Sequence, residues 1–160
     1  MKKKVFSILA DNTSGVLSRV SGLFSRRGFN IDSFTAGETE DPSISRMTVV
    51  ARGDDISLDQ IEKQLAKLED VREVKELKDG RAVCRELVLI TVGVTPEERP
   101  ALVSVVDIFR ANIVDVEKDS VMIEMTGNQS KVNAFIELLD GYEIKEMVRT
   151  GIAGLTRGAV

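Results

Sequence analysis

The chain has 160 residues, 42% of them hydrophobic and 30% charged, with a net charge of −4 and an isoelectric point near 5.0. That length suits one domain or two small ones, and the acidic balance argues against nucleic acid as a partner, because phosphate binding needs a basic face. With no histidine and one cysteine, Cys84, the composition excludes Ser-His and Cys-His nucleophilic pairs, imidazole or cysteine-cluster metal sites and an internal disulfide.

Val5 to Ala10 reads as an apolar strand. Val16, Leu17, Val20, Leu23 and Phe24 then fall on one face of a helix, which makes Asp11-Asn12-Thr13-Ser14-Gly15 a strand-to-helix turn. Thr13 or Ser14 is a natural N-cap, and Gly15 lets a ligand approach the first helical N–H groups. Those groups lack intrahelical acceptors and carry the positive end of the helix dipole, so the turn suits a carboxylate or phosphate. Gly28-Phe29-Asn30-Ile31 ends the helix. If the next strand pairs back near the first, the Asn12 and Asn30 carboxamides converge on one ligand, each with a donor and an acceptor, as an α-amino acid requires. The same residue types are ordinary cap and turn formers, so the loop alone does not decide between a cap and a site.

Asn30 to Thr39 forms a Thr/Ser-rich strand, Glu40-Asp41-Pro42-Ser43 a turn, and Ile44 to Ala51 a returning strand. Ser57-Leu58-Asp59-Gln60 reads as a capping box for a helix with Leu58, Ile61, Leu65 and Leu68 on one face. Val71 to Leu77 is charged enough for an edge strand. The order is βαββαβ. Lys78-Asp79-Gly80-Arg81 marks a boundary. Glu86 to Val94 is a strongly apolar strand, and Thr95-Pro96-Glu97-Glu98 a second capping box, with regular helix starting near Pro100 and a Leu102, Val105, Val106, Phe109 stripe. A hairpin over 113–126, a helix with Val132, Phe135, Ile136 and Leu139, and a strand from Tyr142 to Arg149 repeat the βαββαβ order.

The expected fold is α+β: two ferredoxin-like βαββαβ domains in tandem, at residues 1–78 and 82–160, the second ending in a glycine-containing flexible tail. Halves of about 75–80 residues have marginal cores, which favours association between chains. Lys2-Lys3-Lys4 and Arg26-Arg27 read as a frayed terminus and a solvated helix end, and Cys84 as an inert small hydrophobe. The chain opens without a signal-like segment and has no apolar run of membrane-spanning length, so a cytoplasmic protein without membrane contacts is expected.

Residues 11–20, the Leu23 to Ile31 stretch and Ser45-Arg46-Met47-Thr48 together resemble the ACT domain of the small, regulatory subunit of acetolactate synthase. Arg149-Thr150-Gly151-Ile152-Ala153-Gly154-Leu155-Thr156-Arg157-Gly158 resembles the end of the same family. The resemblance implies a non-catalytic chain, with an ACT domain at its N-terminal end, that activates a catalytic (large) subunit and confers feedback inhibition by valine or another branched-chain amino acid. It further implies a homodimer through ACT domains, with the effector between two chains. The matching effector positions are Asn12, Gly15, Val16, Leu17, Asn30 and Ile31, with Leu9 at the margin. Thiamine diphosphate, Mg2+ and FAD would belong to the catalytic subunit, leaving no cofactor, metal or catalytic residue here.

An acylphosphatase-like enzyme shares the topology, but the chain has no matching phosphate cradle, P-loop or Gly-x-Gly-x-x-Gly. Glu38, Glu40, Asp41, Asp54 and Asp55 read as solvated loop acids rather than Mg2+ ligands. A tandem ACT-type sensor that regulates another protein is the alternative with the same effector site.

Overall fold

The computed structural model describes residues 2–26 and 29–159. The chain divides into two compact units, Met1–Cys84 with Gly151–Val160, and Arg85–Thr150. In the first, β1 (Lys2–Asp11), α1 (Val16–Arg26), β2 (Asn30–Glu38), β3 (Ile44–Gly53), α2 (Asp55–Ala66) and β4 (Val71–Glu76) follow in the expected order. The strands form an antiparallel sheet in the order β2-β3-β1-β4, which leaves β2 and the charged β4 as edges.

Alternation along the central strands separates the two sheet faces. Phe6, Ile8 and Ala10 of β1 and Met47, Val49 and Ala51 of β3 pack in one buried cluster with Val20 and Phe24 of α1 and Leu58, Ile61 and Leu65 of α2. Their neighbours in sequence, Ser7, Leu9, Arg46 and Thr48, occupy the other face. Lys2-Lys3-Lys4 does not fray: it opens β1, and Lys2 and Lys4 pair with Asp55 at 2.8 Å and Asp59 at 2.9 Å. The predicted Gly28 helix exit and Arg27 lie outside the described residues.

Two caps differ from the sequence reading. The residue capping α2 is Asp54, not Ser57: its carboxylate accepts from the Ser57 N–H at 2.8 Å and from the Ser57 hydroxyl at 2.9 Å. Asp54 stands three residues ahead of Ser57, so its carboxylate reaches the orphan Ser57 N–H and the helix starts at Asp55, ahead of the position the serine box needs. These bonds, the backbone one first, hold the Asp54 carboxyl below its usual range. At α1, the Thr13 hydroxyl donates to Asp70 at 3.2 Å instead of capping the helix.

In the second unit, β5 (Ala82–Gly93, from residue 85 on), α3 (Arg99–Ile108), β6 (Asn112–Val116), β7 (Ser120–Gly127), α4 (Gln129–Leu138) and β8 (Glu143–Arg149) form the second βαββαβ, with strand order β6-β7-β5-β8. The Thr95–Glu98 box forms ahead of α3, Glu98 accepting from the Thr95 N–H at 3.1 Å while the Glu98 N–H donates to the Thr95 hydroxyl at 3.2 Å.

The end of the chain departs from the expected flexible extension of the second domain. Residues 151–160 belong to the first unit, where β9 (Ala153–Thr156) pairs with β5, whose first residues, 82–84, fall in that unit, and a short 3-10 turn (Arg157–Ala159) follows. This segment lies on the helix-free face of the first sheet. The Thr35 hydroxyl donates to the Ile152 carbonyl at 3.3 Å, and the Gly154 N–H donates to the Thr48 hydroxyl at 3.4 Å. Backbone polar groups find partners there, and Ile152 is buried. Gly154 has no room for a side chain, since a Cβ would lie 2.7 Å from the Cys84 sulfur and 2.8 Å from Leu77. Among the described residues no helix is long and apolar enough to cross a membrane.

Candidate functional site

The loop between β1 and α1 is held from both sides. Asp11 pairs with Arg72 at 2.6 Å, and Asp70 with Arg19 at 2.5 Å. The Asn12 side-chain amide donates to the Pro42 carbonyl at 3.0 Å, and its backbone N–H to the Ser43 carbonyl at 2.7 Å, which ties the loop to the β2–β3 turn. That turn is itself fixed, because Asp41 accepts from the Ser43 hydroxyl at 2.7 Å and from its N–H at 3.0 Å. The same two bonds lower the Asp41 carboxyl.

Gly15 immediately precedes α1 with φ +82, a left-handed conformation that favours glycine. Its carbonyl accepts the Arg19 N–H at 3.0 Å, while the Val16 N–H returns to the Thr13 carbonyl at 3.3 Å. Among the described residues no acceptor engages the Leu17 or Ser18 N–H. The diversion of Thr13 to Asp70 thus leaves the start of α1 open, with the Arg19 guanidinium beside it, donating to the Ser14 carbonyl at 3.2 Å. An exposed helix start with free N–H groups and a guanidinium beside it has the electrostatics that attract a carboxylate.

The structure separates the predicted site residues into groups. Asn12, Gly15 and Leu17 lie together and exposed, Leu17 at 48% although the helical stripe placed it toward the core. Val16 is a core residue, 3% exposed, so only its backbone reaches the loop. Leu9 is paired with Arg46 on the opposite face of the sheet. Asn30 and Ile31 lie at the far end.

The strand register shows why the two asparagines do not converge within one chain. Asp11 pairs with Ile44 and Lys2 with Gly53, whereas Asn30 pairs with Arg52 and Glu38 with Ser45. The first strand therefore ends where β2 ends, and β2 begins at the opposite end of the sheet. Eight strand steps at about 3.3 Å put Asn30 roughly 25 Å from the Asn12 end. The expectation of a single-chain pair fails because β2 adds to β3, not to β1, and runs parallel to β1.

Residues 6–73 match the AHAS small subunit-like ACT domain, and residues 85–158 match the small subunit of acetolactate synthase. The chain is 50% identical to a probable acetolactate synthase small subunit of Archaeoglobus fulgidus, covering 98% of each. It is 43% identical to the acetolactate synthase isozyme 3 small subunit of Salmonella typhimurium, covering 98% of this chain and 96% of that one. The crystal structure of the acetolactate synthase small subunit from Thermotoga maritima superposes over 100% of both chains, with a TM-score of 0.90 at 41% identity. With an ACT sheet at its N-terminal end and a second βαββαβ unit matching over 85–158, the chain belongs to the family of acetolactate synthase small subunits.

Proposed function

We propose that this chain is a non-catalytic regulatory subunit that binds the catalytic subunit of acetolactate synthase, activates it, and makes it sensitive to feedback inhibition by a branched-chain amino acid, with valine the expected effector. Thiamine diphosphate, Mg2+ and FAD belong to the catalytic subunit in this reading.

The observation that carries the effector assignment is the register. Asn12 and Asn30 sit at opposite ends of the same unit, and β2, which spans the distance between them, is a sheet edge. Two copies joined antiparallel through β2 bring Asn30 of one chain to the Asn12 loop of the other, twice per dimer. Each site then has the open start of α1 for the carboxylate, carboxamides from two chains for the ammonium and carboxylate, and exposed Leu17 for an aliphatic side chain. A ligand held by two chains alters their relative geometry, and a coupling of about 1–3 kcal/mol to the catalytic subunit suffices for regulation.

Reconstitution tests the reading. Acetolactate formation by the catalytic subunit should rise when this chain is added and fall again with valine more than with leucine or isoleucine. A catalytic subunit unaffected by this chain would refute the activating role. Activation without response to any of the three amino acids would refute the effector assignment.

A further inference from the structure

Two of the stretches that carry the family resemblance take no part in the effector loop, and they meet on the helix-free face of the first sheet. Ser45-Arg46-Met47-Thr48 lies on β3, and its even-numbered side chains face away from the helices. The segment from Gly151 onward crosses the same face. Together they border an open groove of about 840 Å³. That volume falls within the range of small-molecule sites, roughly 300–1,000 Å³.

Among the described residues Arg46 is the one cationic side chain in a largely aliphatic lining. Leu9, Ile44, Val83 and Leu155 supply the wall, and Arg46 of β3 also lines the groove. Arg46 is half-buried and donates to the Ser7 hydroxyl at 2.8 Å; among the described residues it has no ion-pair partner. A guanidinium presents five donors in a planar fork suited to a carboxylate, and one hydroxyl uses little of that capacity. Leu155 is 57% exposed, an aliphatic side chain held over the groove and open to solvent. Glu38 and Glu40 also line the groove and oppose ligands of high negative charge.

We propose that this groove is a second ligand site, distinct from the effector loop, for a monocarboxylate with an aliphatic body. The carboxylate sits on Arg46, the body lies between the sheet and Leu155, and the two glutamates select a single negative charge over a phosphate.

The test uses the whole 160-residue chain. Hexanoate is titrated by calorimetry and by methyl resonances of Leu9, Ile44 and Leu155, with hexanol and hexyl phosphate as comparison probes. Saturable hexanoate binding that shifts these methyls, with hexanol and hexyl phosphate each weaker by about tenfold or more, is expected. Arg46→Gln should weaken hexanoate at least tenfold, Arg46→Lys should retain much of the affinity, and Asn12→Ala should leave it unchanged. Leu155→Asp alters an exposed position and places a carboxylate in the groove, so it should abolish binding in a folded chain. No saturable shift at these methyls, equal binding of hexanol, or displacement of hexanoate by valine would overturn the proposal.

Discussion

Replacing Gly15 separates backbone geometry from electrostatics at the start of α1. With φ at +82, any β-carbon at this position costs about 1–2 kcal/mol of backbone strain. The added atom would also lie 3.0 Å from Nη1 of Arg19, whose guanidinium is held by Asp70 at 2.5 Å and by the Ser14 carbonyl at 3.2 Å. Gly15→Ala should therefore lower folding stability by about that strain and weaken valine only a few-fold. Gly15→Asp carries less of that strain, because aspartate tolerates left-handed backbone, and its carboxylate can pair with Arg19, so it should be at least as stable as the alanine variant. It also sets a negative charge where the proposed effector carboxylate would bind. Two unit charges about 4–5 Å apart at an effective dielectric near 20 repel by about 3–4 kcal/mol, a loss of a hundredfold or more in affinity. Gly15→Asn, which tolerates left-handed backbone, should be the mildest of the three. Thermal unfolding and calorimetric valine titration read the two quantities separately. If alanine loses as much affinity as aspartate, the electrostatic reasoning is refuted and the glycine acts through loop geometry alone.

In the second unit, Glu86 is buried and grips Arg149 with two hydrogen bonds, at 2.6 and 2.9 Å, which raise the Arg149 pKa. Arg149→Ala leaves a buried carboxylate alone and should cost about 3–5 kcal/mol, more than Glu86→Ala, which leaves a guanidinium able to reach water; denaturant unfolding of both variants gives the order. Asp41, Asp54, Asp59 and Glu98 all have lowered carboxyl pKa values, so each binds protons less readily folded than unfolded. Their stabilisation is complete above the ordinary carboxylate range and is lost as pH falls through the folded values. The raised Lys4 ammonium, hydrogen-bonded foremost to Asp59, stabilises at neutral pH and loses that contribution as pH rises through its folded value. With no histidine, unfolding followed from pH 3 to 11 should show a plateau from about 6 to 8, and a sharp step inside it would contradict the reading. Gly154→Ala forces atoms against Cys84 and Leu77 and should cost about 1–3 kcal/mol, part of it recovered in the Cys84→Ala background.

Periodicity made most of the fold legible. The helical stripes through Val20 and Ile61, the β6–β7 hairpin and the charged β4 edge follow from one-dimensional spacing, as does the repeat of the βαββαβ order. The Thr95–Glu98 box was readable because both partners lie within one turn. Features set by tertiary contact were not readable in the same way. Thr13 was diverted from capping by Asp70, 57 residues away. Leu17 fits the apolar stripe but is exposed, and a spacing rule does not distinguish a core position from an exposed apolar position beside it. The path of Ile152 and Gly154 depends on hydroxyls of Thr35 and Thr48 more than a hundred residues earlier. For the site, the residue types at Asn12, Gly15 and Asn30 were legible, but their separation was not, because it depends on β2 pairing with β3.

The two-chain site is tested most directly by mixing two damaged chains. Asn12→Ala and Asn30→Ala should each weaken valine by roughly ten- to hundredfold, since each removes a hydrogen bond to a charged group. Unfolding and refolding the two variants together in equal amounts yields about half mixed dimers by random pairing. In a mixed dimer one site carries both substitutions and the other carries neither, so about a quarter of all sites regain full valine affinity when they lie between chains. Calorimetry of the mixture should resolve that high-affinity fraction, absent from either variant alone. A mixture containing mixed dimers but no high-affinity sites would contradict an effector site shared by Asn12 of one chain and Asn30 of another.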